Sequence, residues 1–160
     1  MHDYVNVPKN SPDRARASEL CAEAAAPLLA SAGFAADAIT RISDAIRDHS
    51  FSRGATPTQP LGRALQDADR LEALGAIGIA RTFATGQRMG AKFFEETDPF
   101  AQERELDDIA FSVDHFYKKL LGLPDTMLTE PGRAEGRKRA KLLQDFLDAL
   151  GDELGIPTPK

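Results

Sequence analysis

Histidine and aspartate stand side by side at the start of the chain as His2-Asp3, and two further aspartates lie close together in Gln66-Asp67-Ala68-Asp69-Arg70-Leu71. An adjacent His-Asp pair offers one imidazole nitrogen and one carboxylate oxygen. A distant Asp on a helix completes such a set around a divalent metal of the kind that activates water for hydrolysis. The dipeptide alone is weak, because a residue beside the initiator Met is ordinarily a solvated chain end. Its meaning depends on what stands behind it.

Four blocks stand behind it. The run from His2-Asp3-Tyr4-Val5-Asn6-Val7-Pro8 through Lys9-Asn10-Ser11-Pro12-Asp13-Arg14-Ala15 comes first, followed by His49-Ser50-Phe51-Ser52. Next come Gln66 to Ile79 with Arg81-Thr82-Phe83, and then His115-Phe116 with Lys119-Leu120. In order and spacing these resemble the HD-domain phosphohydrolases, and among them the small bacterial stand-alone type, over nearly the whole chain. One feature departs from that family. An additional metal-binding His lies there on a helix well upstream of the His-Asp doublet, whereas only Met1 precedes the doublet here. The resemblance therefore predicts an N-terminally incomplete HD domain, either a fragment or a natural short form with a depleted site.

The resemblance implies a divalent-metal-dependent phosphohydrolase acting on a nucleotide or another small phosphate ester or anhydride. His2 and Asp3 would be metal ligands, with a further aspartate from the central block. Alignment through Ala68-Asp69-Arg70-Leu71 favours Asp69. Helix geometry favours Asp67, which shares the more apolar face, and two aspartates two positions apart diverge by about 160 degrees around a helix. The motif match makes Asp69 the first choice and keeps Asp67 in the set. Mixed His and carboxylate ligands suit Mn, Fe, Co, Ni or Zn, and Mg less well; Mn is the first expectation by likeness to the family. His49 has three readings: an outer ligand, a general acid, or a helix-terminal histidine suited to the negative end of the dipole. The catalytic roles are assigned to His49 and Lys119. Lys9, Arg14, Arg81 and His115 are the cationic candidates for substrate phosphate, whose charge the protein must neutralise.

Composition bounds the alternatives. At 160 residues and 42% hydrophobic content a single core is the default, and the expectation is one HD-like domain over 1–155 with a flexible tail over 156–160. The chain opens with no signal segment and contains no apolar run of membrane-spanning length, which predicts a cytoplasmic protein without a membrane partner. Cys21 is the sole cysteine, so an internal disulfide is excluded. A net charge of −5 argues against a broad nucleic-acid surface. The rival to the enzyme is a catalytically impaired remnant or helical protein-interaction module, whose exposed apolar surface would favour a homo-oligomer.

The elements that must position these residues read as helices throughout. The pattern predicts an all-α, compact HD-domain-like bundle of about five to seven helices. Ser11-Pro12-Asp13 is a start signal, Gly33 a stop, and Pro27 a kink or split between them. From about Ala36, the residues Ile39, Ile42, Ala45, Ile46 and His49 form one stripe, which puts His49 at a core-facing helix end. Phe51 to Gln59 read as a loop, and Pro60 opens the helix of the two aspartates. Gly75 and Gly78 indicate close packing or a break. Met89 to Phe100 read as irregular, pinned by Phe93 and Phe94. Leu106, Ile109, Val113, Phe116 and Leu120 predict an amphipathic helix with Asp108, Ser112, His115 and Lys119 as its polar stripe. A last helix from about Pro131 turns Leu143, Phe146, Leu147, Leu150 and Leu154 inward.

Overall fold

Pro12–Arg16 form a 3-10 turn, with Ser11 as N-cap accepting from the Asp13 amide through its hydroxyl, and the chain then enters α1, Ala17–Ser31. The computed structural model describes residues 2–8, 11–50 and 53–159. Pro27 does not split α1. Proline removes its own amide hydrogen bond and crowds the carbonyl four residues before it, but its flank is exposed, while Cys21, Ala22, Ala25 and Leu29 bury the opposite stripe and hold the helix together. Gly33, at a φ of 83°, closes it, with Gly33 and Phe34 amides returning to the carbonyls of Ala30 and Leu29.

The chain divides into two compact units, Met1–Asp69 and Arg70–Lys160. In the first, α1 packs on α2, Ala36–Asp48, and α3 runs Pro60–Leu71 to its boundary. Its core is Cys21, Ala22, Ala25, Leu29 and Ile46, with Ile39, Ile42 and Leu65 packed against it. Gly62 allows α3 to approach closely: a Cβ there would sit 2.8 Å from Pro57 Cβ and 3.6 Å from the Ala45 Cα.

The second unit holds α4, Gly75–Met89, and α5, Glu130–Leu154, around a core of larger side chains that includes Leu74, Phe100, Val113, Phe116, Leu120, Leu143 and Leu147. Phe93 stacks on Phe83 at 4.1 Å between ring centroids, which pins the irregular segment as the sequence predicts. Within α5, Leu143 and Leu147 are buried, and Phe146, Leu150 and Leu154 pack partly against the same cluster. The segment read as a tail makes contacts of its own. Ile156 packs on that cluster, the Pro157 carbonyl accepts from Gln102 Nε2 at 2.7 Å, and Thr158 donates to Asp148 at 2.7 Å.

The helix expected over Leu106–Leu120 forms only at its end. Helical turns start at Asp114 and run into a π-helical turn, Phe116–Leu120, while Ile109 points to solvent at 71% exposure. Two competitors displace the missing turns. The Asp107 carboxylate accepts from the amides of Ile109 and Ala110, the local alternative to helix that Asp offers. Lys92 pairs with the Phe111 region, its amide donating to Ala110 O at 2.8 Å and its carbonyl accepting from Ser112 N at 2.9 Å. The fold is all-α: among the described residues no named strand occurs, and none of the helices is long and apolar enough to cross a membrane.

Candidate metal centre

The His-Asp doublet is tied down in spite of its place near the chain start. Two residues beyond Asp3, the Val5 amide donates to Cys21 Sγ at 3.3 Å and the thiol faces Val5 O at 3.6 Å, while Arg14 Nη1 donates to Val7 O at 2.9 Å. Cys21 and Val7 are buried, so this strap is part of the first unit's packing. Cys21 is thus the small core residue its alanine-rich setting suggests, with a hydrogen-bonding use as well.

The strap delivers His2 and Asp3 to His49 at the C-cap of α2. His2 Nε2 lies 3.5 Å from Asp3 Oδ2, and His49 Nε2 lies 3.9 Å from Asp3 Oδ1. The two imidazoles meet edge to face with centroids 5.1 Å apart. One donor atom from each of the three residues lies within 4.8 Å of the other two, the geometry of a cluster able to hold a metal ion. His49, whose readings from sequence include an outer ligand, stands with the doublet in this cluster. The three differ in burial: His49 is buried, His2 half-buried, and Asp3 exposed.

His49 is prepared as a donor. Its Nδ1 faces Ile46 O at 2.5 Å, and since a carbonyl only accepts, Nδ1 donates there and Nε2 is the ring nitrogen turned toward Asp3. This arrangement, one ring nitrogen on a carbonyl and the other toward the ligand set, is the usual outer-sphere support of a metal-binding His. The donor set of two imidazoles and a carboxylate therefore fits a divalent transition metal.

Beside the cluster opens a cavity of about 200 Å³ with Asp3, Asn6, Arg14, Ser18, His49 and Ser50 as its polar lining. Of the four cationic candidates for phosphate, the structure brings Arg14 to this cavity. Lys9 lies outside the described residues. Arg81, His115 and Lys119 belong to the second unit. There Arg81 stands 3.7 Å from Glu72 on the surface, and Lys119 is half-buried. His115 Nδ1 donates to Asp108 at 3.0 Å, and Lys118 reaches the other oxygen of the same carboxylate at 2.7 Å. The Lys118 hydrogen bond is the main reason the Asp108 carboxyl is held below its ordinary range, against the opposing effect of burial.

On α3 the two aspartates separate as their angle requires. Asp67 is buried at 2% exposure, and Asp69 is half-buried. Reasoning from the sequence overlooked two neighbours. Gln66 is fully buried, and its Nε2 donates to Asp48 O, His49 O and Ala55 O at 3.3, 3.3 and 3.2 Å. Ser18, also buried, donates to Arg47 O at 2.8 Å. Gly62, one turn before Gln66, is the signal that marks that face as close-packed.

No model of a protein family matches the chain. The Bacillus subtilis protein YpgQ is 30% identical over 159 residues, which cover 96% of this chain and 69% of YpgQ. A solved structure of an HD-superfamily hydrolase from Bacillus thuringiensis is similar with a TM-score of 0.66 and 31% identity, over 86% of this chain and 64% of that one. The chain belongs to the HD-domain superfamily. Other structures similar to this HD-domain chain include the Lin1889 protein of Listeria innocua, with a TM-score of 0.70 and 28% identity over 97% and 71% of the two chains. YpgQ in complex with ADP matches with a TM-score of 0.65 and 26% identity, over 82% of this chain and 63% of the YpgQ chain. The chain thus spans less than two thirds of the YpgQ chain in that complex. Membership suggests a hydrolase and a divalent metal.

Proposed function

We propose that this chain is a divalent-metal-dependent phosphohydrolase acting on a nucleotide or another small phosphate ester or anhydride. The observation that carries the reading is the convergence of His2, Asp3 and His49 beside a polar cavity that Arg14 lines. The ADP complex of YpgQ supports a nucleotide as the ligand class. His2, Asp3 and His49 would hold the metal, with Mn the first choice. A fourth donor would come from α3, where Asp67 is buried and Asp69 half-buried, so that burial weighs for Asp67 and the motif match for Asp69.

A bound divalent ion would acidify a water and draw charge from the phosphoryl oxygen. The chain's own groups account for the rest. Arg14, one guanidinium nitrogen anchored on Val7 O, presents its remaining donors to an anionic group in the cavity. Ser18 and Val7, both buried, line the same cavity. Lys9, Arg81 and His115 are kept as proposed groups for substrate charge, and Lys119 as a proposed catalytic group whose cation could hold a phosphate oxygen. Hydrolysis of nucleoside mono-, di- and triphosphates and an aryl phosphate, with and without Mn, tests the reading. Metal-stimulated phosphate release that Asp3→Ala removes is the expected result; release equal in the variant and parent overturns it.

A second reading, a helical interaction module, draws on exposed Ile77 and Ile109 of the second unit, at 70% and 71% exposure. Concentration-dependent self-association without any metal-stimulated hydrolysis would favour it.

A further inference from the structure

The last carbonyls of a helix lack partners within it, and when buried they must find others. At the end of α2 the partners are side chains from three places. Ile46 O receives His49 Nδ1, Arg47 O receives the Ser18 hydroxyl of α1, and Asp48 O with His49 O receives the Gln66 amide of α3. All three donating residues are at most 4% exposed. The same Gln66 amide also reaches Ala55 O in the following loop. Three carbonyls around one terminal group admit an NH2 and reject an oxygen, so the chemistry here requires an amide and fixes its orientation.

We propose that Gln66 and Ser18 are positioning residues that hold the α2 terminus so that His49 presents a bare Nε2 to the metal donors His2 and Asp3. The inference rests on the metal reading of that cluster. Ser18 fixes the carbonyl that follows Ile46, and Gln66 fixes the two after it, including that of His49 itself. Together they keep the turn in which Ile46 O stays within reach of Nδ1. When the turn loosens, Nδ1 exchanges its carbonyl for water, the hydrogen is free to move to Nε2, and the donor is lost.

Gln66→Glu is the sharpest variant, because it keeps size and shape and places a carboxylate oxygen against the three carbonyls. Ser18→Ala is the mild one, removing a single hydroxyl. Two measurements on the full chain read the result, with circular dichroism establishing that each variant is folded. In the metal-free chain, nitrogen-15 NMR of the imidazoles should show His49 as the Nδ1–H tautomer in the parent and as a mixture in both variants. Titration with Co(II) alone, followed by its visible absorption, should show affinity falling about 10- to 100-fold in Gln66→Glu, the usual cost of losing outer-sphere support. Ser18→Ala should fall less, in the same direction. An unchanged tautomer and Co(II) affinity within about twofold of the parent in a folded Gln66→Glu chain overturn the proposal. If that variant does not fold, the same two unchanged readings in Ser18→Ala overturn it. The failure of the metal reading looks different: His49→Ala would then bind Co(II) as tightly as the parent, while the tautomer measurement still decides whether Gln66 and Ser18 hold the ring.

Discussion

The first unit buries small side chains and polar groups, whereas the second buries large apolar ones and balances charge against charge. Around Cys21, Ala22, Ala25, Leu29 and Ile46 the first unit encloses Ser18, His49, Gln66 and Asp67. Three of those four are satisfied by backbone carbonyls. The second unit's fully buried residues include Phe100, Phe116, Leu143 and Leu147, and its buried charge, Asp114, meets Arg104 through two bonds of 2.6 and 2.7 Å. Apolar area removed from water scales with side-chain size, while each buried polar group has to recover its lost hydration. The contrast predicts that the second unit contributes the larger share of the stability and that the first carries the cost of the polar groups buried around the candidate donor set.

The strongest way to break this contrast is to hollow the second core. Phe116 is fully buried and touches both Phe83 and Phe146, with ring centroids 5.8 and 5.7 Å away. Phe116→Ala is expected to cost about 4 kcal/mol in urea unfolding followed by circular dichroism. Asp114→Ala comes next, at about 3 kcal/mol. It removes the carboxylate from Arg104, which keeps only the Asp98 and Glu105 carbonyls as hydrogen-bond partners among the described residues, and from the Asp107 amide, which donates to the same carboxylate at 2.7 Å. A loss under 1 kcal/mol for either would mean that the second unit's stability lies elsewhere.

Those two residues also show what the sequence exposes and what it conceals. Phe116 lies on a legible apolar stripe, and so do Leu143 and Leu147. Asp114 falls between the apolar positions Val113 and Phe116, where a charge ordinarily faces water, and its partner lies in a segment without periodicity. The helix expected from Leu106 failed for the same reason, since Asp107 and Asp114 gather amides that helical turns would have used. At the candidate site, the stripe ending in His49 was legible from its three- and four-residue steps. Its approach to a doublet far away in sequence depends on the Cys21 and Arg14 bonds to the strap, which no spacing reveals. A glutamine on a helix reads as solvated, so Gln66 went unmarked until its three carbonyl partners were visible.

In the first unit the expected losses are of activity and not of fold. His2→Ala should lower metal-stimulated hydrolysis by about 100-fold, close to 2.7 kcal/mol in the barrier. Helix content should hold, because His2 precedes the first helical turn and is half-buried. Full activity in that variant would detach the doublet from the chemistry. A finer comparison sets Asp67→Asn against Asp69→Asn. Burial predicts the greater damage at Asp67 and the motif match predicts it at Asp69; measured hydrolysis with Mn ranks them directly, and greater damage at Asp69 would show alignment to be the better guide.

The smallest effect separates the units by acid. Among the described residues, the carboxyls held below their ordinary range in the second unit are Glu95, Asp98, Asp108, Glu135 and Asp148. In the first unit Asp37, beside Arg41, is the one so held. A carboxyl depressed in the folded state binds fewer protons there than in the unfolded chain, so stability falls as pH falls. Asp108 contributes fully above its ordinary value of 3.8 and loses that contribution as pH drops through its lower folded value. Asp108→Asn should therefore shift the urea midpoint downward near neutral pH, and the gap from the parent should close as the pH is taken well below 3.8. Asp37→Asn should shift it less near neutral pH, since its pair with Arg41 spans one exposed helical turn and salt screens it. A gap for Asp108→Asn that stays constant into acid would overturn the charge argument, because an Asn and a protonated Asp are nearly isosteric and differ from the ionised form chiefly in charge toward Lys118 and His115.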